Sequence, residues 1–241
     1  MAVNGPSAEA RRAREIRGRL ERLHERIQAW CQRYGRRPEE IRLLAVSKTF
    51  PPADVRAAAA AGQCRFGESY VAEALAKQVH LAALPLEWHF IGPIQSNKTR
   101  RLAAAFDWIQ SLDTERLARR LDAQRPPGRP PLNVLIQVNV SGEASKRGVA
   151  PAALPALAEV VAALPRLRLR GLMAIPAPSD DFAAQRRAFA ALRGLQEDLQ
   201  ARGWALDVLS MGMSGDLEAA IAEGATLVRV GTGIFGPRPT R

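Results

Sequence analysis

One pattern constrains this chain more than any other: short apolar runs alternate with helical stretches from residue 41 to residue 230. The apolar runs fall at 41–47, 65–67, 87–92, 108–112, 132–140, 167–175, 206–211 and 226–230. The longer ones are apolar nearly throughout, not at every second position. That is the pattern of parallel strands covered on both faces. Helical patterns fill 51–62, 70–84, a stretch starting at Ser96 as N-cap, 113–124, 151–164, 182–203 and 216–223. Gly62 and Gly203 stand where two of them should end. Eight strands with intervening helices in 241 residues predict an α/β fold, a (β/α)8 TIM barrel forming a single domain. A doubly wound open sheet is the alternative. The connector "RPPGRPP" (125–131) reads as a loop and not a domain boundary, because the alternation resumes unchanged beyond it.

An extra N-terminal amphipathic helix, within residues 1–37, precedes the first strand. Ile16, Leu20, Leu23, Ile27 and Trp30 recur along it at helical spacing. Ten arginines and four glutamates lie in the same stretch, so +6 of the net charge of +11 sits there. Such a charge invites a nucleic-acid reading. The arginines instead fit the solvent face of a helix docked on the barrel, and at 5% the aromatics are too few, and not interleaved with basic residues, to make stacking platforms. No nucleic acid is therefore expected as a partner. No apolar run reaches the ~20 residues a membrane helix needs. No leader is evident, and two cysteines make no disulfide framework, so a cytoplasmic protein is the expectation.

In "LLAVSKTF" (43–50) an apolar strand ends in Lys48. Barrels place their chemistry at the C-terminal ends of strands. One reading of Lys48 is a Schiff-base lysine, which must be desolvated to be neutral, since free lysine titrates near ~10.4. The other is a lysine snorkelling to solvent where its strand ends. The last strand runs into "RVGTGIFG" (229–236), which matches a dinucleotide fingerprint by letter but opens no βαβ unit. Gly231, Thr232 and Gly233 instead follow an eighth strand, where barrels hold phosphate through backbone amides. The seventh strand runs into "LSMGMSGD" (209–216), where Ser214 and Gly215 lie just before a helix N-terminus, which also attracts anions. A ligand with an aldehyde at one end and a phosphate at the other, such as pyridoxal 5′-phosphate, fits both ends.

The segments "LLAVSKTF", "FGESY", "WHFIGPIQSNK", "VNVSGEASKRG", "GLMAIP" and "LSMGMSGDLEAAIAEGATLVRVGTGIFG" fall in one order over residues 43–236. Together they resemble the pyridoxal-phosphate homeostasis protein family, one-domain barrels similar to the N-terminal domain of alanine racemase. The resemblance implies Lys48 as the Schiff-base lysine for pyridoxal 5′-phosphate. It implies phosphate contacts from Ser214, Gly231, Thr232 and Gly233, with Arg229 beside the pyridine nitrogen and Met211 near the ring. The family usually has asparagine in the second motif, where this chain has Ser69, whose hydroxyl reaches less far. His89 is open between a role at the barrel mouth and a satisfied core histidine. Lys98 and Lys146 are further cations that could meet a phosphate or carboxylate, though loop lysines are commonly just solvated. The scattered histidines His24, His80 and His89 predict no metal site.

Racemisation needs a base on each face of the reacting carbon. In alanine racemases the second is a tyrosine from a separate C-terminal domain, and this chain ends five residues after Gly236. Tyr34 and Tyr70 are its only tyrosines. The resemblance therefore implies a non-catalytic protein that buffers or delivers the cofactor to apo-enzymes in vitamin B6 homeostasis. Minor amino-acid racemisation is the alternative. A monomer is expected, with a dimer left open.

Overall fold

The computed structural model describes residues 7–143 and 146–238. Eight strands close into a barrel in chain order. They are β1 (Arg42–Val46), β2 (Arg65–Glu68), β3 (Glu87–Phe90), β4 (Trp108–Leu112), β5 (Leu132–Gln137), β6 (Leu167–Met173), β7 (Val208–Ser210) and β8 (Leu227–Val230). All neighbours are parallel, and β1 pairs with β8 from Arg42 opposite Leu227 to Ala45 opposite Val230. That pairing closes the sheet and excludes the open-sheet alternative.

Period-two alternation divides each strand between two cores. Leu44, Trp108, Leu135, Met173, Val208 and Leu227 fill the barrel interior. Their neighbours Leu43, Ala45, Val134, Leu172, Leu209 and Val228 point outward into a larger apolar layer shared with the helices. Three strands end earlier than their apolar runs suggest. Ile91, Val138 and Ala174 each keep a single cross-strand bond, to Glu68 O, Met173 O and Ser210 O at 2.8, 2.8 and 3.2 Å. Beyond those bonds the chain turns into the loops of the mouth.

The surrounding helices are α2 (Pro52–Ala60), α3 (Val71–His80), α4 (Thr99–Ala105), α5 (Glu115–Gln124), α6 (Leu154–Ala162), α7 (Phe182–Ala201), α8 (Leu217–Ala222) and the single turn α9 (Thr232–Phe235). With only a turn after β8, the N-terminal α1 (Ala8–Arg33) packs against α2, α8 and α9 and fills the eighth helical place. It buries Ile16, Leu20, Leu23, Ile27 and Cys31. Cys31 takes the core position that the spacing offered to Trp30, which is half-buried beneath Arg26 at 4.7 Å. Two polar clamps fix α1. Arg12 forks onto Asp54 and reaches Phe235 O at 2.8 Å, and Arg33 and Tyr34 both meet Glu218 at 2.9 and 3.0 Å.

Ser96 does not cap the fourth barrel helix with its side chain. It opens a 3₁₀ turn (Ser96–Lys98) ahead of α4, and its carbonyl accepts from Thr99 Oγ1 and Arg120. The far end of α4 is closed by Arg125, the first residue of the proline-rich connector. Buried there, its Nη1 donates to Ala103 O and Phe106 O at 2.6 and 2.8 Å.

Gly171 lies beside a register shift between β5 and β6 and has φ of +151°. A Cβ on it would overlap Val208 O on β7. Gly194, in the middle of α7, has open space around its Cβ direction. We expect Gly171→Ala to lose about 3 kcal/mol of unfolding free energy in urea titration, combining backbone strain with overpacking. Gly194→Ala should gain about 0.5–1 kcal/mol in the same assay, from helix propensity alone.

Candidate functional site

Lys48 follows the end of β1 at the barrel mouth. The next residue, Thr49, has φ of +72°, a left-handed conformation that a β-branched residue adopts only under constraint. The constraint is visible. Phe50 N donates to Ser47 O at 3.1 Å, and Thr49 N donates to Glu73 Oε1 at 2.5 Å. Lys48 is half-buried. Burial lowers its pKa, the charge of Arg238 adds to that, and Glu68 and Glu73 oppose it. Its side chain lines a cavity of about 580 Å³ with Ser69, Tyr70, Phe90 and Gly92.

The turn that carries Lys48 is held from beneath by buried charges. Lys77 on α3 donates to Ser47 O, Glu68 Oε1 and Glu73 Oε1 at 2.7, 2.7 and 2.6 Å. Ser47 Oγ adds a 2.6 Å bond to the same Glu68 oxygen. Burial pushes the Glu68 carboxyl above its ordinary range, while Lys77 and Ser47 pull it back. One ammonium thus ties β1, β2 and α3 together on either side of residue 48. Sequence reading missed this cluster. Glu73 and Lys77 stand four apart, which on a helix reads as an ordinary exposed ion pair. Only the fold buries it.

The eighth and seventh strand ends come together as their positions imply. A Cβ on Gly233 would lie 3.8 Å from Ser214 Oγ, and one on Gly231 would press against Val46 O of β1 at 3.2 Å. Thr232 and Gly233 open the turn of α9, so their amides have no carbonyl partner inside it. Asp216 shapes the β7 loop by accepting from Met213 N at 2.5 Å. Arg229 is buried in the interior beneath these loops. It donates to Ser210 Oγ at 2.6 Å and Ala174 O at 2.8 Å, both neutral acceptors. Burial brings its pKa down to about 10, against the attraction of Asp216.

Two expected residues are fully buried. His89 is fully buried inside the barrel and does not line the mouth cavity. Its Nε2 meets Glu87 Oε1 at 2.7 Å, its Nδ1 meets Gln110 Nε2 at 2.9 Å, and its ring stacks on Trp108 at 5.1 Å. Burial lowers its pKa, with Glu87 pulling the other way. Neutral His89 then donates from Nε2 and accepts at Nδ1. The core-histidine reading therefore holds, because strand parity turns the ring inward and partners saturate both nitrogens. Met211 follows Ser210, whose side chain is inside, so parity turns Met211 outward into the helix layer, where it is fully buried. Met213, two residues on, is the methionine exposed at the mouth.

A further feature was hidden from the sequence. Ser210 Oγ donates to Gln110 Oε1 at 2.7 Å, so an unbroken chain of bonds runs Arg229, Ser210, Gln110, His89, Glu87 through the barrel. The members are spread over β3, β4, β7 and β8, and the barrel brings them into one line. Lys98 lines the Lys48 cavity. Lys146 is in the loop after β5, with residues 144 and 145 outside the described part.

The model of the alanine racemase N-terminal domain matches residues 19–239. This defines the class: a (β/α)8 barrel of the alanine-racemase type. A pyridoxal phosphate homeostasis protein of Pseudomonas aeruginosa is 61% identical over 219 residues, 91% of this chain and 94% of that one. Its namesake in Escherichia coli is 52% identical over 227 residues, 93% and 97% of the two chains. With these relatives, the chain belongs to the pyridoxal phosphate homeostasis proteins within the alanine racemase N-terminal domain family. Among solved structures, PipY of Synechococcus elongatus with PLP bound superposes at a TM-score of 0.80 with 40% identity, covering 92% of this chain and all of PipY. An alanine racemase of Clostridium difficile shares the fold alone: TM-score 0.76, 12% identity, 94% of this chain and 57% of that one.

Replacing Lys77 by methionine would strand the Glu68 carboxyl in a buried place. We expect Lys77→Met to cost about 3–5 kcal/mol in chemical denaturation. Adding Glu68→Gln should recover part of that loss, since it removes the unpaired charge.

Proposed function

We propose that this chain binds pyridoxal 5′-phosphate on Lys48 and serves vitamin B6 homeostasis by holding or delivering the cofactor, without turning over a substrate of its own. The observation that carries this is Lys48 itself: half-buried, with a lowered pKa, in a strained turn that aims it into a cavity. A lysine whose ammonium is destabilised spends more time as the neutral amine that can bond an aldehyde. PipY, with PLP bound in its structure, is 40% identical, and the relatives are named for pyridoxal phosphate homeostasis.

The remaining residues fit the group. Ser214 with the amides of Gly231, Thr232 and Gly233 would hold the phosphate, and the glycines let backbone approach closely where a side chain would intrude. Arg229 is a buried cation with only neutral acceptors, which suits a lone pair such as that of the pyridine nitrogen. An arginine there keeps the ring nitrogen unprotonated and so weakens the electron-sink chemistry that the cofactor supplies when bound. Ser69 lines the cavity beside Lys48 and supplies a short hydroxyl. Delivery to apo-enzymes in the cytoplasm is the role this arrangement suits, since the residues grip the cofactor without arming it.

Borohydride reduction of the purified protein followed by peptide mapping should put the label on Lys48. Lys48→Ala should lose the absorbance of the bound cofactor, and pyridoxal without phosphate should be retained much more weakly than its phosphate. A label confined to Lys98 or Lys146, or equal retention of the two vitamers, would sink the reading.

A second reading is favoured by one observation. Tyr70 lines the same cavity as Lys48, where a tyrosine would have to stand to act as a second base. It is 49% exposed, so water reaches it freely, which disfavours controlled proton transfer. Incubation with L-alanine in deuterium oxide, read by chiral chromatography, should give no inversion at enzyme-like turnover. Inversion that disappears in Tyr70→Phe would make this protein a small racemase.

A further inference from the structure

The cavity at Lys48 does not end at the cofactor residues. It runs across the ends of β2 and β3 to Lys98 and Arg101, and none of residues 211–216 or 229–233 lines it. The glycine and serine loops that would take a phosphate are therefore not among its walls. Its volume of about 580 Å³ falls in the range of small-molecule pockets. Val71, Phe90, Ile91, Pro93 and Ile175 give it apolar walls, and no acidic residue lines it.

Lys98 and Arg101 differ from the other cations of the barrel in where they stand, together in the wall of one cavity. Arginines such as Arg119, Arg170, Arg186 and Arg193 pair with carboxylates. Neither Lys98 nor Arg101 has a side-chain hydrogen bond or ion pair among the described residues. Two like charges aimed at one concave space, with no counter-charge in its wall, raise a positive potential there and draw an anion. The guanidinium fork matches a carboxylate, and the apolar walls match a hydrocarbon body.

We propose that Lys98 and Arg101 form a second anion subsite, which takes the carboxylate of a small molecule of amino-acid size with an apolar body. The argument rests on the cavity and its cations, so the subsite stands or falls apart from the cofactor reading. It puts the carbon body of the bound molecule between the two cations and Lys48. A molecule seated there shares the mouth with whatever Lys48 holds.

Calorimetric titration with 4-methylpentanoate tests this, with 4-methylpentanamide as the uncharged match. The carboxylate should bind at one site per chain, and the amide about tenfold or more weaker. Lys98→Gln and Arg101→Gln should each weaken the carboxylate about tenfold, and the double variant should lose it. Arg100→Gln removes a neighbouring charge that does not line the cavity and should change nothing. No binding, equal binding of the amide, equal loss in Arg100→Gln, or unchanged binding in the double variant would each overturn the proposal. So would inorganic phosphate displacing the carboxylate at lower concentration, which would make this a phosphate site. Circular dichroism and urea unfolding of each variant report folding. Cofactor retention, read separately by absorbance, reports Lys48, so failure of one reading leaves the other legible.

Discussion

The hydrogen-bonded pairing of β1 with β8, in register from Arg42 opposite Leu227 to Ala45 opposite Val230, is the constraint on which the rest of the molecule depends. It joins the two ends of the strand series. It sets the turn carrying Lys48 beside Gly231, which fits only because glycine leaves room next to Val46 O. It also leaves one gap in the ring of helices, since α9 is a single turn. The N-terminal α1 fills that gap, and its Arg12 grips Asp54 near the start of α2 and Phe235 O at the end of α9. Closing a parallel sheet gives every strand two neighbours and leaves no edge.

Closure also decides how charge is kept inside. Two buried cations are handled in opposite ways. Lys77 is neutralised in place by Glu68 and Glu73, and it serves to hold the Lys48 turn in its left-handed conformation. Among the described residues Arg229 has only neutral acceptors, Ser210 Oγ and Ala174 O. The first arrangement is complete in itself, so it belongs to the framework. The second leaves a cation with binding capacity to spare beneath the mouth, which is what a site for an electron-rich ligand requires. The chain of bonds from Arg229 to Glu87 fixes how that guanidinium is turned, because each member can donate in only one direction once His89 is neutral.

The same barrel in alanine racemases, at 12% identity, shows how far the fold is separable from its use. What distinguishes one use from another is what faces the mouth. Here the mouth holds a desolvated lysine, glycine loops, a half-exposed tyrosine and two cations that are unpaired among the described residues. In the proposed function the first two would hold the aldehyde of the cofactor.

The sequence by itself determined the alternation of elements, and hence parallel pairing, because burial on both faces leaves so strong an apolar signature at each strand; closure into a barrel was decided by the pairing of β1 with β8. It also determined that Lys48, Ser214 and Gly231–Gly233 stand at strand ends, since position along a strand is a one-dimensional fact. It could not determine which face of a strand lies inside the barrel, so His89 stayed open. Nor could it pair residues distant in the chain. Arg125 read as part of a loop, and nothing in the sequence set Lys77, Gln110 or Ser210 apart. Only the tertiary structure decided those roles, because burial and hydrogen-bond partners depend on which segments closure brings together, and that is a property of the whole barrel and not of any one stretch.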